Sequence, residues 1–206
     1  MTIMWASRVH RLDAVALGQL FQQGFHGKFM KFGFTATTAQ AGSRLIGEYL
    51  QQFCRQNLVV SIQGGHLNGC LLLNDGKKAL GYHTFLHRLG QTLPWRDRLR
   101  LLLFLGLLDQ PVPADSIYID FVAVAPAQRG HGIGTALLRF CQRRCTRLSL
   151  SVVTANRTAY QLYQKLGFCE ARTQQSQLTQ WWFGFTEWSE MQWSVAPQFK
   201  TPTIQV

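Results

Sequence analysis

Acidic residues are scarce in this chain. Ten Asp and Glu stand against 21 Lys and Arg in 206 residues, a formal net charge of +11. That balance suits anionic partners, among them nucleic acid, membrane headgroups, acidic protein and phosphorylated cofactors. No RNP, zinc-finger or helix-turn-helix signature accompanies the charge, and the cations form only short runs at 96–100 and 139–147. No specific nucleic-acid partner is therefore expected. The cysteines (Cys54, Cys70, Cys141, Cys145, Cys169) contain no CxxC pair and the histidines no HExxH, so no metal site is expected and the thiols read as reduced, in a cytoplasmic compartment. Cys141 and Cys145, four apart, read as helix packing. Long hydrophobic runs are missing as well: the longest, 101–108, is interrupted by Gly106, whereas a membrane span needs about 20 apolar residues. Residues 1–11 lack an apolar signal core, so neither a transmembrane segment nor secretion is expected. With Arg96, Arg98 and Arg100 in front of it, the 101–108 run could lie on an anionic membrane surface; a buried helix is the preferred reading.

What the chain has is apolar content. With 47% hydrophobic and 15% charged residues, a chain of this length buries roughly 70% of its unfolded surface without disulfide or metal staples. One domain over 1–196 with a tail over 197–206 is expected. Helical periodicity marks 13–25 and 37–55, the second with Leu45, Ile46, Tyr49, Leu50 and Phe53 on one side. Between them, 24–34 is an aromatic, glycine-broken loop of the kind that lines a pocket. Residues 69–74, the Asp75-Gly76 turn and 79–87 read as an antiparallel hairpin, and 95–110 as an apolar helix ended by Pro111 and Pro113. Strand 116–125 alternates through Ile117, Ile119 and Phe121, then changes parity at Val122 and Val124, which predicts a bulge at Phe121-Val122. A helix over 132–146 and a strand over 148–153 complete a right-handed parallel unit. A helix over 157–166 stops at Gly167; 177–185 is ambiguous, and 188–195 alternates as a strand.

The chemistry concentrates at Gln128-Arg129-Gly130-His131-Gly132-Ile133-Gly134-Thr135. Three glycines leave backbone N–H groups uncovered where a helix begins. Those donors, the helix dipole and Arg129 make a seat for a phosphate. A Rossmann GxGxxG does not fit, because Thr135 and Leu137 stand where the last glycine would be, and no GxxxxGK run exists.

Strand, VAVAP, QRGHGIGTALL, a second strand, Asn156 and AYQLYQKLGF resemble the GNAT superfamily of acetyl-CoA-dependent N-acetyltransferases. The match is sharp over 117–170. The QRGHGIG run is similar to the family's pyrophosphate motif, and Asn156, Tyr163 and Leu166-Gly167-Phe168 to its later signature. The resemblance implies an α/β (α+β) fold, a mixed and mainly antiparallel sheet flanked by helices, with a parallel strand pair splayed at the cofactor site. It also implies acetyl-CoA, with Val122, Ala123, Val124, the 128–135 residues named above and Asn156 as its contacts, and Tyr163 beside the sulfur as general acid. An exposed strand edge could pair with the pantetheine arm as an added strand would.

Rival readings stand beside each assignment. Ala159, Leu162, Tyr163 and Leu166 form a packing stripe that would turn Tyr163 inward in any case, and Asn156 could be an N-cap. Asp120 is the candidate base, or a hydrogen-bonded strand residue; His26 and Glu187 are reserves. The acceptor pocket is expected from 24–34, 95–110 and 181–188. Transfer of an acetyl group to a small-molecule or peptide amine is the expected reaction. A non-catalytic acyl-CoA-binding module is the alternative and a basic surface binder a weaker one; a homodimer is left open.

Overall fold

The computed structural model describes residues 1–25, 31–77, 80–108, 112, 116–177, 180 and 185–195, the side chains of 107 and 108 excepted. Its strands are β1 (Thr2–Trp5), β2 (Leu58–Gln63), β3 (His66–Asn74), β4 (Ile117–Val124), β5 (Arg147–Val153), β6 (Cys169–Gln175) and β7 (Glu187–Ser194). The helices are α1 (Ala14–Gly24), α2 (Ala36–Phe53), α3 (Tyr82–Thr92), α4 (Trp95–Leu108), α5 (Ile133–Gln142) and α6 (Arg157–Lys165). The strands form one sheet in the order β1-β2-β3-β4-β5-β7-β6. Every neighbour pair is antiparallel except β4 and β5. This is the mixed α/β architecture that the sequence implies.

Two apolar layers cover the sheet. On one face, Leu17, Phe21, Leu50, Phe85, Leu101 and Phe104 from α1 to α4 pack against Val60, Cys70, Phe121 and Ala123. On the other, Ile133, Leu137 and Cys141 from α5, with Leu162 and Tyr163 from α6, pack against Val59, Leu71, Ile119 and Leu150. The helices begin where side chains satisfy their free N–H groups. Asp13 Oδ1 accepts from Val15 N at 2.8 Å and Ala16 N at 3.2 Å, and Thr35 and Thr38 form a reciprocal capping box. The layer of α1 and α2 is held unusually close. A methyl at Gly18 would overlap the Ser43 carbonyl, and one at Gly47 the Ala14 carbonyl, so the helices meet backbone to backbone.

The structure corrects the hairpin. The hairpin partner of β3 is β2, joined to it through Gly64 and Gly65 at φ 58° and 79°. Residues 80–87, the described part of the expected second strand, hold no strand; α3 starts at Tyr82, behind Gly81 at φ 72°. Alternation of Leu80, Tyr82, Thr84 and Leu86 mimics a strand, but the buried residues are Phe85 and Leu89, one helical turn apart, while Leu80 and Tyr82 are exposed. The bulge also sits earlier than the parity change suggests: Leu72 pairs with Phe121 and Leu73 with Ile119, so Asp120 is the extra residue. Helix α5 is shorter than expected and stops at Gln142.

Substituting Gly47→Ala should cost about 2–3 kcal/mol by overpacking and lower the thermal midpoint by roughly 5–10 °C for a chain of this size. Thermal melting followed by circular dichroism checks it; an unmoved midpoint would mean that the helices do not cross at these glycines.

Candidate active site

The site begins where two strands part. β4 and β5 pair only through Ile117 with Leu148 and Tyr118 with Ser149, a start fixed by the Ser116 and Ser149 hydroxyls at 2.9 Å. Beyond that point β5 is committed to β7 along its other edge, from Arg147 to Val153, while the Asp120 bulge redirects β4, as extra residues do. The β4 edge past Asp120 therefore faces an opening. Ala125 N–H donates to the Asn68 carbonyl of β3 at 2.9 Å, so the Val124 carbonyl of the same peptide unit points the other way, into the opening. There it accepts from Arg129 Nε at 3.2 Å. The two-residue strand period puts the main-chain groups of Val122 on the same edge. Ala123, which the sequence groups with them, turns its main chain toward β3 and buries its side chain at 3% exposure.

The glycine turn lies at the end of that edge. A 3-10 turn over Pro126–Gln128 leads to Gly130 at φ 81° and Gly132 at φ 76°. Gly132 caps α5 without a side chain, so the N–H groups of the first turn, those of Ile133, Gly134 and Thr135 among them, have no partner within the helix. A Cβ at Gly130 or Gly132 would meet nothing within 4 Å, whereas one at Gly134 would touch Leu162 at 3.5 Å and Val124 at 4.0 Å. The loop is thus pinned on one side and open on the other. Ile133, 2% exposed, is the pin, sunk between α5 and the sheet. Arg129 also reaches the Gln23 carbonyl at the end of α1, at 3.4 Å, a brace that the sequence did not disclose. His131 is exposed, its Nδ1 3.0 Å from the Arg129 carbonyl. Gln128 and Thr135 are half-buried. An open, cationic N-terminal turn of this kind fits a diphosphate.

Tyr163 is half-buried on α6, its ring 5.8 Å from that of Phe168. Burial pushes its hydroxyl up to about 12, with Tyr118 adding to the effect, so it stays protonated at neutral pH. Tyr118, 6% exposed, is itself raised by burial and by the charges of Asp120 and Glu190. It is electrostatically coupled to both candidates, a position that sequence pattern alone gave no reason to single out. Asn156 is an N-cap: its Oδ1 accepts from Ala159 N at 3.3 Å. The Asp120 carboxylate is exposed at the bulge and accepts from Asn74 Nδ2 at 3.3 Å. Glu187 accepts from Gln175 Nε2 at 3.0 Å, across the β6–β7 pair. His26 lies outside the described residues.

Asp120 and Asn74 sit on the wall of a cavity of about 330 Å³. Phe21 and Phe25 of α1, Tyr49 of α2, Phe85 of α3 and Leu102 and Leu105 of α4 enclose much of the rest. The expected loop contributes Phe25 and the expected insertion helix its leucines and Gly106. Residues 181–184 lie outside the described residues. The contribution of α2 was missed, although Ile46, Tyr49 and Leu50 belong to its recognised stripe.

The acetyltransferase (GNAT) family model matches residues 48–168, more than half of the chain, and the chain belongs to that family. The family uses acetyl-CoA. No curated protein sequence gives a significant match. Among solved structures, an N-acetyltransferase from Staphylococcus aureus is 16% identical with a TM-score of 0.64, over 94% of this chain and 100% of that one. A Corynebacterium glutamicum protein described as histone acetyltransferase HPA2 and related acetyltransferase is 18% identical at 0.64, over 96% and 98%. The yncA protein of Salmonella typhimurium, solved with its cofactor acetyl-CoA, is 16% identical at 0.53, over 98% of each chain. At these identities the likeness is one of fold. Among the described residues no helix is long and apolar enough to cross a membrane.

Gly132→Asp should weaken acetyl-CoA binding by more than ten-fold, since it places bulk and negative charge in the open side of the turn. The left-handed φ adds a cost of about 1 kcal/mol, which leaves the protein folded. Calorimetric titration beside a thermal melt checks both halves, and tight binding by the folded variant would overturn the assignment of the turn.

Proposed function

We propose that the chain transfers an acetyl group from acetyl-CoA to the primary amine of a small molecule or peptide by direct attack, with 1–196 acting as one domain. The observation that carries this reading is the parting of β4 from β5 at Asp120. It joins an anion-binding turn, a free strand edge and an apolar cavity at one point of the sheet. Bound acetyl-CoA supplies a thioester carbonyl open to attack and a sulfur that can leave.

The chain's own groups then divide the work. The open turn at Gly130 and Gly132, with the α5 N–H groups, would hold the diphosphate. The Val122 main chain, and the Val124 N–H, offer hydrogen bonds along the opening in the manner of an added strand. Asp120 stands at the cavity wall and accepts, directly or through water, the proton that an amine of pKa near 10.4 must lose before attack. The nitrogen forms its bond to the carbonyl carbon as the carbon–sulfur bond breaks, Tyr163 donates a proton to the departing sulfur, and the second proton that the nitrogen sheds on becoming an amide restores the Tyr163 hydroxyl through water. Because burial holds Tyr163 at about 12, it carries that proton throughout the neutral range. The first-turn cap made by Asn156 supports a positioning role for that residue, holding the start of the helix that carries Tyr163. The cofactor recorded with the Salmonella typhimurium structure also supports the reading.

Tyr163→Phe should lower kcat by about ten- to a hundred-fold while the acetyl-CoA affinity changes less than two-fold, read by thiol release and by titration. An unaltered kcat would remove Tyr163 from the mechanism, and binding without turnover over a broad amine panel would make the chain an acyl-CoA-binding module instead. The wild-type kcat should rise with pH as the amine deprotonates and show no alkaline fall below pH ~10, since Tyr163 keeps its proton there. A fall between pH 8 and 9 would argue that a different acid serves.

A further inference from the structure

Exposed apolar side chains gather in one part of this molecule. Of the eight large hydrophobics that the described residues expose, five, Leu80, Tyr82, Trp95, Leu99 and Leu103, lie on the helical hairpin of α3 and α4 or just ahead of it; only Met1, Val15 and Val195 lie elsewhere. Trp95, Leu99 and Leu103 are 63%, 50% and 45% exposed, and their spacing of four sets them one above another on a single face of α4. The opposite face carries Leu101 and Phe104, both fully buried. One side of α4 is thus the buried helix that the sequence favours, and the outer side is equally apolar. Helices that are apolar all round are normally covered all round, and a contiguous exposed apolar surface marks a place where something else binds.

The cations beside this stripe identify the occupant. Arg96 stands one turn before Leu99, and Arg100 one turn before Leu103; both are exposed. The Arg96 guanidinium lies over the Trp95 ring, 5.4 Å from its centre, a pairing of cation and indole suited to the boundary between headgroups and acyl chains. Arg100 is held by Asp97 at 3.0 Å and by the Gly33 carbonyl at 3.3 Å, which fixes it at the edge of the stripe. Over 80–108 the chain has Arg88, Arg96, Arg98 and Arg100, with His83 and His87, against Asp97 as the one acid. An apolar stripe flanked by arginines is the pattern of helices that lie in a membrane interface without crossing it. A protein partner would need acids at matching points, whereas the net charge of +11 is spread along the chain in short runs. A diffuse excess of that kind is drawn to an extended anionic surface.

We infer that the outer face of α4 docks on an anionic lipid surface, with Trp95, Leu99 and Leu103 entering the headgroup boundary and Arg96 and Arg100 meeting lipid phosphates. The docking is independent of the acetyl-transfer reading and holds whether or not the chain turns over an amine.

Flotation of the full chain with vesicles tests it, phosphatidylcholine alone against phosphatidylcholine carrying about 30% phosphatidylglycerol, which supplies a negative surface potential. The expected affinity for the anionic vesicles is at least about ten-fold above that for the neutral ones. Leu99→Ser combined with Leu103→Ser should lower it by about ten-fold or more at an unchanged thermal midpoint, and Arg96→Gln by about five-fold, the worth of one cation at such a surface. Val15→Ser, which removes an exposed apolar side chain from α1, should leave it unchanged. Should the double variant melt early, Trp95→Ser repeats the apolar test at the start of the helix. Undiminished binding by the serine variants would mean that diffuse charge alone holds the chain to vesicles, and would overturn the assignment to α4. Absence of flotation with anionic vesicles, or equal binding to neutral ones, would overturn the anionic lipid surface. A dimer in solution that Leu99→Ser and Leu103→Ser dissociate would then give the face to a second copy of the chain, and binding to polyglutamate lost in the same variants would give it to an acidic protein.

Discussion

One extra residue in a strand governs this molecule. Asp120 has no opposite number in β3, so β4 bends after Ile119 and its later half cannot stay parallel to β5, whose hydrogen-bonding capacity on the far side is taken by β7. A bulge adds twist and redirects a strand at the cost of a local interruption in the ladder. Here the interruption falls inside a sheet, where an unpaired edge would otherwise be covered. The same residue that opens the edge also presents its carboxylate to the cavity, so opening and charge have one structural origin.

The layers around the bulge are built to different tolerances. α1 and α2 meet through glycines with no space between backbones, which makes their crossing rigid and fixes where Phe21 and Tyr49 stand. α4 is apolar on more than one side: Leu101 and Phe104 are fully buried, while Trp95, Leu99 and Leu103 are exposed. Its Gly106 leaves room where the other helices fill it. The cavity is therefore bounded by a tightly fixed pair on one side and by a helix with a deliberate gap on the other.

Much of this was legible in the residue order, and the failures have identifiable causes. The glycine turn and the 117–170 segment could be read because glycines at a helix start serve a local backbone need that the sequence displays directly. Gly167 at φ 83° ends α6 as its position suggested. β2 escaped notice because Leu58 to Ser61 are all buried, so a strand covered on both faces shows no alternation. β6 escaped for the opposite reason, being almost wholly exposed and polar. The 79–87 segment misled because a short helix start can alternate by accident. The position of the bulge, off by one residue, depended on which face Phe121 chose. That choice was made by its contacts with Phe21 at 5.3 Å and Phe25 at 6.2 Å, which are tertiary and invisible to a local pattern.

Arg129 has a mechanical meaning beyond charge. One guanidinium spans the Val124 carbonyl and the Gln23 carbonyl, and Gln23 precedes Phe25, whose ring lies against Phe121, by only two positions. The glycine turn and the aromatic wall are thereby yoked across the sheet's end through a single planar strut. Any displacement of one is transmitted to the other without passing through the bulge.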